Sequence, residues 1–130
     1  MTNKKNATGI VYILQFEFED KKLIKIGVTQ RNIEDRVAEI LVSMFKKYRE
    51  FYYCKPKRFR TTENAYQKEK ELHDYFSEYR YKPDKKFSGS TEFFDIDLDI
   101  VVDKYDSMIS IKKSTKKSKS SKFFKVNKNI

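Results

Sequence analysis

GIVYILQFEFEDKKLIKIGV, residues 9–28, alternates in two blocks around a polar interruption. Ile10, Tyr12, Leu14, Phe16 and Phe18 fall on one side of an extended chain, with Val11, Ile13, Gln15 and Glu17 on the other. A period of two, carried by β-branched and aromatic residues, predicts a strand. Residues 19–22 predict a polar turn and 23–28 a second strand, so the two blocks form an antiparallel hairpin. With all four polar residues in the turn, Phe18 faces Leu23 and Phe16 faces Lys25. Tyr12 and Lys25 then share a face, which a one-residue slip would reverse.

Beyond the hairpin the period changes. NIEDRVAEILVSMF (32–45) is apolar at Ile33, Val37, Ile40, Leu41 and Met44, one stripe of a helix. Asn32 is placed to cap it, with Asp35 three residues on. Arg36 lies beside Val37 at the stripe's edge. REFYYCKPKRFR (49–60) reads as a third strand with a basic exit. ENAYQKEKELHDYF (63–76) reads as a second helix capped by Thr61 or Thr62. Its apolar stripe, Ala65, Leu72, Phe76 and Tyr79, also contains Glu69, a carboxylate aimed where apolar residues point. YKPDKKFSGS reads as a loop and TEFFDI as a short extended piece. Asp97 caps a last helix with Leu98, Val101, Val102, Tyr105 and Met108 inward. The order β-β-α-β-α predicts an α/β (α+β) domain over residues 1–109, a three-stranded antiparallel sheet flanked by helices with a C-terminal helix. Residues 110–130, rich in Lys and Ser, predict a disordered basic tail that buries too little apolar area to order itself.

Composition bounds the function. The net charge is +10, but residues 110–130 hold eight lysines and no acid, so most of it rests on the tail. Within the body, residues 46–60 hold seven basic residues against Glu50, and residues 92–106 six acids against Lys104. A basic and an acidic face on one small domain suit a polyanion on one side, or simply two solvated surfaces. Cys54 is alone, which excludes a disulfide framework and a cysteine zinc site within the chain. No run reaches membrane-span length, and the N-terminal lysines precede no apolar stretch. The expected setting is intracellular, cytoplasmic or with the nucleoid or nucleus.

Five segments in order, GIVYIL, IKIGVT, RNIEDRVAEI, AYQKEKELHDYF and TEFFDI, resemble the GIY-YIG nuclease superfamily over roughly residues 9–96. The likeness is greatest to the phage-type branch whose second motif reads KIG, the T-five Orf-type DNA-binding domain. The resemblance implies a DNA endonuclease using one divalent ion, Mg²⁺ or Mn²⁺. It implies that Tyr12 handles the proton of the attacking water, with Lys25 in the place of the second-motif tyrosine. Gly27 closes that motif, Arg36 contacts the phosphate, and Glu69 holds the metal. His73 and Glu92 match the branch's additional positions. The sequence departs from the wider family in that lysine and in lacking a clear counterpart of the late asparagine, so a catalytically inactive DNA-binding or regulatory module is the alternative.

Each residue also has a structural reading. Glu69 could pair with Arg36 or Lys25 inside the fold, Arg36 with Glu39 one turn on. Tyr12 could be a core tyrosine, Lys25 an edge-strand lysine, His73 a satisfied structural histidine. The basic run offers Lys46, Lys47, Lys55, Lys57, Arg58 and Arg60 to phosphates, and its rings to exposed bases. Its alternative is a strand with Phe51 and Tyr53 inward. The expected partner is DNA, with no membrane, and the chain a monomer or weak dimer.

Overall fold

The computed structural model describes residues 7–110. The predicted tail lies outside the described residues, apart from Ser110. The hairpin is β1 (Gly9–Phe18) and β2 (Lys21–Thr29). Glu19 and Asp20 alone form the turn, with φ of 53° and 65°. Positive φ at both central residues matches the right-handed strand twist, as in two-residue hairpins. The register is therefore tighter than a four-residue turn gives: Phe18 lies opposite Lys21, Leu14 opposite Lys25 and Tyr12 opposite Gly27. Each pairing moves by two residues, and a shift of two leaves every side chain on its face. Tyr12 and Lys25 do share one.

The sheet has five antiparallel strands in the order β3-β1-β2-β5-β4, which corrects the three-stranded expectation and makes the domain α+β. The additional strands are β4 (Arg80–Tyr81) and β5 (Phe93–Phe94). Two residues display no periodicity, so they read as loop and extended piece. They join because β5 pairs with Ile24 and Lys25, leaving the rest of the β2 edge to other partners. Strand β3 (Tyr53–Thr62) lies at the opposite edge, where a proline such as Pro56, opposite Leu14 and beside a bulge, is tolerated. A bulge opposite Ile13 and Leu14 leaves Lys57 without a partner residue on β1.

Helix α1 (Ile33–Tyr48) covers one face of the sheet, and α2 (Ala65–Tyr75) with α3 (Leu98–Met108) the other. Under α1 lie Tyr12, Leu14, Phe16, Phe18 and Leu23, packed on Ile40, Met44, Phe87 and Phe93. Under α2 and α3 lie Val11, Ile13, Ile24 and Ile26, packed on Ala65, Leu72, Phe76, Val101 and Tyr105. Asn32 caps α1 by accepting from the Asp35 N–H. The α2 start differs from the expected threonine cap. Thr61 and Thr62 end β3, Asn64 takes φ 56°, and the Ala65 N–H donates to Ala7 O instead, at 3.0 Å. Tyr79 falls beyond α2 and is exposed, so it does not extend the buried stripe. Phe51 and Tyr53 also point outward rather than into the core.

Candidate functional site

The site grows from the hairpin. Tyr12 on β1 faces Gly27 on β2, and a Cβ at Gly27 would overlap the Tyr12 ring and hydroxyl. Glycine there lets the ring lie across β2 towards α1. Arg36, in the first turns of α1, donates from Nε to Tyr12 Oη at 3.2 Å and from Nη1 to Ser88 Oγ at 3.0 Å. It also pairs with Glu39. Burial opposes its charge, but Tyr12 and Glu39 outweigh that and hold its pKa above the ordinary value. Its Nη2 has no acceptor among the described residues. Nor does the Tyr12 hydroxyl proton.

Lys25 is 0% exposed, with its ammonium 5.4 Å from the Tyr12 ring centroid and paired with Glu92. A buried ammonium needs such a partner, because desolvation without one is costly. Gly89 sits directly over this lysine. Its φ is +82°, and a Cβ there would meet Lys25 Cε at 2.6 Å. Residues 88–92 thus lie over Lys25 and Arg36, with Ser88 further fixed by its N–H to Ser43 Oγ at 2.8 Å. Ser88 and Gly89 are absent from the sequence reading. Their only signal was a glycine between serines in an apparent loop.

Glu69 and His73 come from the other face. Among the described residues Glu69 pairs with neither Arg36 nor Lys25, which take Glu39 and Glu92 respectively. Among the described residues its ionic partner is His73, with Oε2 3.2 Å from Nε2. His73 Nε2 is also 2.7 Å from Ile26 O. A carbonyl only accepts, so this nitrogen carries the proton. Ile26 is the first β2 residue beyond the β5 pairing, and His73 serves its carbonyl at that open edge. The ring also packs edge-on against Phe94. Burial opposes the His73 charge, but the Glu69 hydrogen bond, the Ile26 carbonyl and the fields of Glu69 and Glu92 raise its pKa above the ordinary value. Lys25, Ile26 and Gly27 are consecutive, so the two clusters flank one stretch of strand from opposite sides.

The basic run is divided. Arg58 pairs with Asp106 of α3 through Nε at 3.0 Å, and Arg60 through Nη1 at 2.9 Å. Arg60 also donates to Ile109 O at 2.6 Å. Both arginines are thereby engaged on the α3 side. Lys46, Lys47, Lys55 and Lys57 have no ion pair among the described residues. Burial pushes the Cys54 thiol up to about 12, which removes it as a nucleophile.

No three His, Cys, Asp or Glu side chains gather as a metal cage among the described residues. The donor set fits a hard cation that draws most of its ligands from water and phosphate. Glu69 is a carboxylate with 15% of its side chain exposed and one oxygen on His73. Mg²⁺ commonly takes only one or two protein carboxylates. His73 Nε2 is directed at Ile26 O and Glu69, so it does not present a lone pair.

The arrangement defines a small α+β domain with cations and a tyrosine gathered on one sheet face. The chain belongs to the T5orf172 domain family, whose model matches residues 9–110. This is a family of phage-type, nuclease-like and DNA-binding domains, which indicates DNA as the partner. No curated protein and no solved structure matches the chain. No helix among the described residues is long and apolar enough to cross a membrane.

Proposed function

We propose that the chain is a DNA endonuclease of the GIY-YIG type that hydrolyses a phosphodiester bond with the help of one divalent ion. The observation that carries this reading is the meeting of Tyr12, Lys25 and Arg36 on one face of the hairpin. Arg36 is braced on three sides and keeps Nη2 for a phosphate oxygen. The Tyr12 oxygen takes the proton of the attacking water as its own hydroxyl proton passes to solvent, and Lys25 and Arg36 flank the ring and oxygen to steady the negative charge that builds there during the exchange. Glu69 would hold the ion, Mg²⁺ or Mn²⁺, which supplies Lewis-acid support to the phosphoryl and leaving oxygens when bound. One such centre per chain makes nicks, so a double break would take two chains.

Tyr12 and Lys25 are both fully covered. The reading therefore requires residues 88–92 to lift as the phosphate replaces Glu92 on Lys25 and Ser88 on Arg36. That coverage also favours a second reading, a DNA-binding module without hydrolysis. Calorimetric titration of Mn²⁺ into the wild type and Glu69→Gln, with a melt and a nicking assay on each, tests the proposal. The variant should lose both metal heat and nicking while melting within a few degrees of the wild type. Equal Mn²⁺ binding with a lowered melting temperature would make Glu69 a structural partner of His73 instead.

A further inference from the structure

The outer surface of α1 leads away from Arg36 and ends in exposed rings. A groove of about 450 Å³ is lined by Ala38, Glu39, Val42, Ser43, Lys46 and Ser88. It begins at the residues that brace Arg36, namely Glu39 and Ser88. Val42, in the middle of it, is 54% exposed. Phe45 and Phe51 stack just beyond Lys46, with centroids 4.6 Å apart and planes 18° from parallel. Phe51 is 89% exposed, so its outer face has no partner among the described residues. An apolar ring held flat by a second ring, open on its far side, is arranged like a platform for a third.

The surrounding charge selects the kind of ring. Lys46, Lys47 and Arg49 end the helix, and Lys82, Lys85 and Lys86 stand on the facing loop, which is tied to α1 through Tyr48. The Tyr48 hydroxyl donates to Asp84 at 2.8 Å and accepts the Lys85 N–H at 3.2 Å. Glu39 is the groove's acid, and it is already shared by Arg31 and Arg36. The opposite side of the molecule carries Asp95, Asp97, Asp99 and Asp103, all exposed. Against the six cations around the end of α1 stand the exposed Glu50 and Asp84, so that region keeps a cationic excess that favours a polyanion, whereas the acids at the start of α3 oppose one. Phe45 lies nine residues past Arg36, about 14 Å along the helix, or about four steps at duplex rise and fewer on a stretched strand.

We propose that this track binds an unpaired segment of the nucleic acid, with a base stacked on Phe51 and phosphates on Lys46 and Lys47. It deepens the preceding reading, and rests on it, by naming the substrate class: nucleic acid with a single-stranded portion beside the phosphate at Arg36. Stacking tolerates any base, because every base has a π-face. A duplex keeps its bases stacked on one another and cannot offer one to Phe51.

The test is fluorescence anisotropy on a labelled single-stranded oligonucleotide and on a duplex of the same length. It is run in EDTA, so a chain that never cuts still tests the track, and the nicking assay fails or succeeds separately. Phe51→Ala should weaken single-strand binding about fivefold or more and change duplex binding less than twofold. Phe51→Tyr should restore most of the loss. Because Phe51 is exposed, an unchanged melt shows that the variants are folded. Equal loss on both substrates would overturn the proposal, as would no loss on either. So would a wild-type dimer that Phe51→Ala converts to monomer without altering binding, which would make Phe51 a contact between copies of this chain.

Discussion

The two faces of the β1–β2 hairpin are made from alternate residues of the same two strands, yet they bury different things. The α2–α3 face buries Val11, Ile13, Ile24 and Ile26, and its one deeply placed hydroxyl is fully used. Tyr105 Oη donates to Val11 O at 2.6 Å and accepts the Arg60 N–H at 2.9 Å. The α1 face buries Lys25, a group that is almost never fully buried unless paired. Among the described residues it also leaves the Tyr12 proton and Arg36 Nη2 without partners. The polar atoms with bonds to spare therefore lie on the α1 face, while Glu69, the proposed ion ligand, reaches the same stretch of β2 from the α2 side.

Arg36→Ala should show the largest effect and break the comparison first. It removes the cation bonded to the Tyr12 oxygen, and by analogy with lost oxyanion donors nicking should fall about 10²–10³-fold. Melting should change little, because Arg36 lies at a helix edge with an exposed neighbour in Glu39. A nicking rate like the wild type's would take Arg36 out of the site.

On the other face, Tyr105→Phe should cost stability alone. It leaves Val11 O and the Arg60 N–H without their partner, a loss of about 1–3 kcal/mol. Urea unfolding should show that shift with nicking retained. If cleavage fell with stability unchanged, the division of labour between the faces would be wrong.

The smallest effect concerns the link between the faces. The His73 pKa is raised in the folded state, so its contribution is complete below about pH 6.5, the unfolded value, and is lost as pH rises through the folded value. The melting temperature should decline as pH rises above about 6.5, and His73→Gln should flatten that decline. An unchanged profile in the variant would mean that another group titrates there.

The hairpin and its faces were legible because ten alternating residues carry a strong signal, and face parity survives a two-residue error in register. The register itself was not, because Glu19-Asp20 lacks the glycine or asparagine that ordinarily marks a two-residue turn. The α1 stripe and its Asn32 cap were equally plain. Strands β4 and β5 were hidden by their length. The Lys25–Glu92 pair joins residues whose sequence separation no local pattern spans, and the sequence offered Glu69 as the candidate partner instead. Arg58 and Arg60 looked like the other cations of their run, and only α3 returning with Asp106 separates them from the lysines.

Nicking of supercoiled plasmid by the wild type and Tyr12→Phe, each with Mg²⁺, with Mn²⁺ and with EDTA, tests the central claim most directly. The substitution keeps the buried ring and removes only the oxygen that Arg36 holds. The account predicts that the wild type nicks with Mg²⁺ and not with EDTA, and that Tyr12→Phe binds DNA but does not nick. Nicking by Tyr12→Phe at the wild-type rate, or no nicking by the wild type with either Mg²⁺ or Mn²⁺, would contradict it.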